Sequence, residues 1–169
     1  VTGVCTLLRP ESRGHVRIKS ADPSQAPAID PNYLATARDR ETLVAGVKTL
    51  RRIFQAPAMA RHIDMEIEPG TTCDNDDELL DFIRRRGSTT YHPVSTCRMG
   101  QDPKAVTDER LRVRGIAGLR VVDASIMPAV VSGNTNAATI MIGEKGSDMI
   151  LADAARSEEH TSELQSRGL

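Results

Sequence analysis

Read for hydrophobic period, the chain alternates between short extended runs and two amphipathic helices before a final apolar helix. Val4-Cys5-Thr6-Leu7-Leu8 and His15-Val16-Arg17-Ile18-Lys19 are strand-like, and Pro10-Glu11-Ser12-Arg13-Gly14 between them is rich in turn formers. The two runs predict an antiparallel pair. A Pro- and Asp-rich passage from Asp22 to Pro31 follows. Glu41 to Phe54 then places Leu43, Val44, Val47, Leu50 and Phe54 on one helical face, and Pro57 ends or restarts that helix. Asp76 to Arg86 is a second helix, led by acidic residues, striped by Leu79, Leu80 and Ile83, and closed by Arg84 to Arg86 in agreement with the helix dipole.

The last third is where chemistry concentrates. Tyr91-His92-Pro93 opens a turn-rich run to Gly100, and the proline after His92 holds that residue on extended or turn backbone. Gly118-Leu119-Arg120-Val121-Val122-Asp123 reads as a short strand ending at a carboxylate. Ser132-Gly133-Asn134 leads into a helix from Asn136 to Leu151, with Ala137, Ile140, Met141, Ser147, Ile150 and Leu151 at helical spacing and Met141 and Met149 as core-filling side chains. A helix start of this kind suits an anion or developing negative charge.

Composition narrows the partners. The 169 residues carry 22 Lys+Arg against 23 Asp+Glu, and no basic block favours nucleic acid. No apolar run reaches the roughly 18 residues that a membrane span needs. Cys5, Cys73 and Cys97 form an odd, widely spaced set, as expected for reduced thiols in a cytoplasmic protein. His92 with Cys97 makes a poor metal pair, since zinc takes three or four ligands, and no metal is expected. His15 and His62 read as structural or solvated.

The runs YHPVSTCRMG, RVVDASIMP and SGNTNAATIMIGEKGSDMI, with Leu8 to Gly14 and Ala28 to Tyr33, resemble the C-terminal part of a glucose-methanol-choline (GMC) oxidoreductase of the choline-dehydrogenase-like and alcohol-dehydrogenase-like kind. The resemblance covers about residues 1 to 152. It implies an α+β fold: an antiparallel sheet backed by helices, forming part of a substrate domain over residues 1–100, and a strand-turn-helix over residues 101–155 that completes an FAD-binding domain. The Gly-rich dinucleotide fingerprint has no counterpart in the chain, which therefore reads as a fragment, inactive without the N-terminal FAD-binding half. Residues 156 to 166 resemble the translation of a sequencing adapter, so 156–169 reads as a non-biological tail.

By the same resemblance, FAD is the cofactor and a small-molecule alcohol the substrate. His92 is the base that takes the hydroxyl proton, and Asn134 is the second catalytic residue, orienting the substrate oxygen. Asn136 and Ala137 face the flavin's pyrimidine side, while Asp123 and Ala124 approach its phosphate and ribityl region. Ser95 stands where many members have glycine, and Ala138 where many have proline; both bear on local turn geometry. A non-catalytic module that keeps these motifs for binding or structure is the alternative, and an intact Gly-rich fingerprint upstream would separate the two.

Overall fold

The computed structural model describes the backbone of residues 1–166 and the side chains of residues 1–156. The chain forms two compact units, Val1–Tyr91 and the remainder from His92 onward.

In the first unit, β1 (His15–Arg17) and β2 (Ala28–Asp30) pair antiparallel, with His15 opposite Asp30 and Arg17 opposite Ala28. The expected partner of β1, Val4 to Leu8, is not a strand. It lies along α1 (Ala37–Gln55), where a Cβ on Gly3 would meet the Phe54 ring at 2.6 Å and one on Gly46 would meet Cys5 Sγ at 3.1 Å. Packing against the helix takes the place of a ladder. Gly14 makes the β1–β2 pairing possible, because a Cβ there would sit 2.0 Å from the Asp30 carbonyl oxygen.

Helix α1 begins earlier than its apolar stripe suggests. Thr36 caps it by accepting from the Asp39 amide at 3.2 Å, and Asp39 is almost fully buried. The Asp39 carboxylate accepts from the amides of Glu11 and Ser12 at 2.9 and 2.8 Å, so one acid pins the Pro10–Gly14 loop to the helix start. Pro57 restarts the chain as the first residue of α2 (Pro57–Ala60). Helix α3 (Asp76–Arg86) has the expected limits, set by a capping box in which Asn75 and Glu78 satisfy each other's backbone amides. Leu79 and Ile83 of α3 pack with Val44 and Cys73 to form the first core, flanked by Leu43, Val47 and Leu80. Each such aliphatic side chain contributes about 1.5–3 kcal/mol on burial. The described residues thus form an α+β arrangement, a small antiparallel pair with helices.

The second unit is mostly turns laid against one helix, α4 (Asn136–Ser166), which continues beyond the expected end at Leu151. The expected strand at Gly118–Asp123 contracts to one antiparallel bridge, Arg112 to Arg120, flanked by bonds from Val113 N to Leu119 O at 2.9 Å and from Val121 N to Leu111 O at 3.0 Å. Left-handed backbone at Leu111, Gly115 and Gly118 keeps the pairing short. A 3₁₀ turn (Ala124–Ile126) follows.

Which face of α4 is buried also differs from expectation. Ile142 and Gly146 are buried and Ala138 and Met149 partly so, whereas Ile140, Met141, Ile150 and Leu151 are exposed. The helix is apolar around most of its circumference, so spacing alone did not select the side that meets Leu111, Ile126 and Met127. Gly146 marks that side: a Cβ there would lie 2.3 Å from Val122 Cγ1. Asp153 ties the far end of this contact to the preceding loop through Arg110 at 2.7 Å and through Arg120. Among the described residues, no helix is long and apolar enough to cross a membrane.

Candidate active site

The three motifs of the last third come together within the second unit. Cys97 N donates to Ser125 O at 3.0 Å and Met99 N to Ile126 O at 2.8 Å, so the run after His92 lies along the 3₁₀ turn that follows Asp123. Ser95 Oγ adds a bond to Met127 O at 2.7 Å. His92 then closes the arrangement, with Nδ1 2.8 Å from Oγ1 of Thr135, the residue between Asn134 and Asn136.

Local backbone explains how this is done. Tyr91 and Ser95, on either side of the His92-Pro93 pair, have φ of 60° and 75°, left-handed values that turn the chain sharply. Glycine would occupy the Ser95 position without strain; the serine is held there by its bond to Met127. His92 itself is half-buried and Thr135 is buried, with only 7% of its surface exposed. The Thr135 carbonyl accepts from both the amide and the hydroxyl of Thr139 at 2.9 Å, which fixes Thr135 at the entrance to α4.

The other expected site residues divide by exposure. Asn134, Asn136 and Ala137 are all exposed at the start of α4, whose first turn carries no acidic side chain. The open amides there are suited to negative charge. Asp123 is exposed, but its carboxylate caps the 3₁₀ turn by accepting from Ser125 N at 2.7 Å. Ala124 turns toward the core around Ile126, leaving backbone rather than side chain for any ligand. His15 is exposed 4.0 Å from Asp30, and His62 accepts from Arg61 at 3.1 Å, both remote in sequence from this cluster.

Thr135 is the residue that sequence reading passed over. Its signal was its place between the two asparagines, but a threonine just before a helix is ordinarily an N-cap. Only the fold shows that its hydroxyl meets a histidine 43 positions away.

The C-terminal model of the family described as GMC oxidoreductase matches residues 10–143. The chain belongs to the GMC oxidoreductase family. Among GMC-related proteins, it is 54% identical over 148 residues to an alcohol dehydrogenase (acceptor) of Pseudomonas putida, covering 88% of this chain and 27% of that protein. It is 50% identical over 143 residues to an oxygen-dependent choline dehydrogenase of Escherichia coli O127:H6, covering 85% and 26%. Of solved structures, pyridoxine 4-oxidase from Mesorbium loti superposes with a TM-score of 0.77 at 42% identity, covering 82% of this chain and 27% of that one. A formate oxidase of Aspergillus oryzae RIB40, studied for the effect of a mutation on FAD modification, superposes at 0.82 with 32% identity, covering 87% and 26%. The chain therefore spans about a quarter of the length of the relatives it matches.

Proposed function

We propose that this chain is part of an FAD-dependent oxidoreductase that oxidises the CH–OH group of a small alcohol to a carbonyl. The observation that carries the reading is the 2.8 Å contact between His92 and Thr135, which puts the Tyr91-His92-Pro93 turn and the Asn134–Asn136 helix start at one place in a chain of the GMC family.

The residues fit such a cofactor. The start of α4 presents exposed Asn136 and Ala137 with no carboxylate in its first turn, a suitable surface for a ring that gains negative charge. Asp123 and the Ala124 backbone are assigned to the phosphate and ribityl side. Bound FAD supplies the acceptor for the α-hydrogen, which leaves carbon with its electron pair. His92 takes the hydroxyl proton at the ring nitrogen not engaged by Thr135, and its positive charge then steadies the oxygen as the C–O bond becomes a carbonyl. Such help is worth about 10²–10⁴-fold. Asn134 orients the same oxygen through its side-chain amide. Residues 1–100 contribute to the substrate domain in this reading, 101–155 return to the FAD-binding domain, and 156–169 add nothing to either.

The test is anaerobic mixing of the complete, FAD-loaded enzyme carrying this segment with primary alcohols and with choline, chosen because its relatives are named alcohol dehydrogenase and choline dehydrogenase. Bleaching of the oxidised flavin band with stoichiometric carbonyl formation is expected. A flavoprotein that none of these alcohols reduces would favour a binding or structural role instead.

A further inference from the structure

We propose that Thr135 is a positioning residue whose hydroxyl accepts from His92 Nδ1–H, leaving Nε2 as the proton acceptor and steadying the imidazolium that proton transfer creates. The inference rests on the reading of His92 as the base.

A neutral imidazole has one N–H and one lone pair, and which nitrogen holds which is set by the partner of the other. Nδ1 lies 2.8 Å from Thr135 Oγ1, so two arrangements are available. If the hydroxyl donates, Nδ1 spends its lone pair on Thr135 and Nε2 carries the proton. The ring is then unable to accept from an alcohol. If the hydroxyl accepts, Nδ1–H points at Thr135 and the Nε2 lone pair is free. Only this second arrangement survives the reaction. The alcohol O–H bond breaks, an N–H bond forms at Nε2, and both nitrogens become donors while Nδ1–H stays on Thr135. The contact becomes charge-assisted, and so stronger, at the moment the ring becomes positive.

Burial makes the arrangement firm. Thr135 is 7% exposed, and its carbonyl accepts from the amide and hydroxyl of Thr139, which holds its backbone in place while the hydroxyl keeps the rotation it needs to accept. Water has little access to replace it. The acceptor is pre-organised, so proton transfer needs no heavy-atom rearrangement on this side of the ring.

Two measurements test this in the complete FAD-loaded enzyme, using whichever alcohol of the primary-alcohol and choline panel reduces it fastest. Thr135→Val keeps the shape and removes the acceptor. It should slow flavin reduction by about 10- to 100-fold, with alcohol binding and the flavin spectrum unchanged, while Thr135→Ser stays within about threefold of the parent. In a His92→Ala background, Thr135→Val should add less than about twofold, since its effect passes through the ring. Separately, the ¹⁵N resonances of His92 in the unsubstituted enzyme, assigned through His92→Asn, should show a protonated Nδ1 and an unprotonated Nε2.

A parental rate for Thr135→Val, an equal loss in Thr135→Ser, an extra loss in the His92→Ala background, loss of FAD on substitution, or a protonated Nε2 in the neutral ring would each overturn the inference. The outcomes also separate it from the reading beneath it. If His92→Ala reduces its flavin at the parental rate, the base assignment itself fails. If His92→Ala is slow and Thr135→Val is not, only the role of Thr135 fails.

Discussion

Ser95 shows most clearly how one residue balances two opposed terms. Its φ of 75° is a left-handed conformation that costs a non-glycine residue about 1–3 kcal/mol, and its hydroxyl recovers about 0.5–1.5 kcal/mol through the bond to Met127 O. Ser95→Ala keeps the strain and loses the bond, whereas Ser95→Gly loses both. Urea unfolding should therefore rank glycine above alanine by about 1 kcal/mol, the reverse of the usual order. An alanine variant as stable as the glycine one would show that the turn is not strained. The expectation of glycine at this position comes from the resemblance to the GMC family; the hydroxyl bond that makes serine tolerable was not legible in the sequence, because its partner lies 32 residues on.

The elements differ in how far local sequence specified them. Helix α3 emerged with its observed limits because its cap, acidic lead, apolar stripe and basic close all lie within its own residues. Helix α1 starts earlier than its own stripe indicates, because its start depends on Thr36 and on Asp39, whose partners Glu11 and Ser12 are in a distant loop. The partner of β1 differs from expectation for a similar reason, since Val4–Leu8 and Ala28–Asp30 both have strand-forming composition and only Gly14 and the helix surface decide between them. In α4 the period was correct and the face was not.

Asp39 offers a test at this scale. Burial pushes its carboxyl up, but the amides of Glu11 and Ser12 and the Ser12 hydroxyl outweigh that and hold it below the ordinary carboxylate value. A depressed folded-state value means that the carboxylate stabilises the fold above the unfolded value of about pH 4 and that this contribution is lost as pH falls through the folded value. Asp39→Asn should cost about 1–3 kcal/mol near pH 7, with the gap to the parent narrowing below about pH 4. Thermal melts across pH check it. A gap that stays constant down to pH 3 would mean that the charge is not what holds the loop.

At the scale of the whole molecule, two compact units carry different parts of the family's pattern, and the one beginning at His92 holds every residue assigned to the chemistry. The motifs made the family and the histidine legible, because they are local strings in a fixed order. The contact between them was hidden, since it depends on a threonine whose type alone suggests nothing beyond a helix cap. The central claim is that His92 takes the alcohol proton with Asn134 acting on the same oxygen. Stopped-flow flavin reduction of His92→Ala, Asn134→Ala and the double variant, in the complete FAD-loaded enzyme, tests it most directly. His92→Ala should be slower by about 10²–10⁴-fold, or about 3–5.5 kcal/mol of barrier, with FAD retained. Asn134→Ala should cost about 1–3 kcal/mol, and the double variant less than the sum. A His92→Ala enzyme reduced at the parental rate would contradict the account, and strictly additive losses would place the two residues at separate tasks.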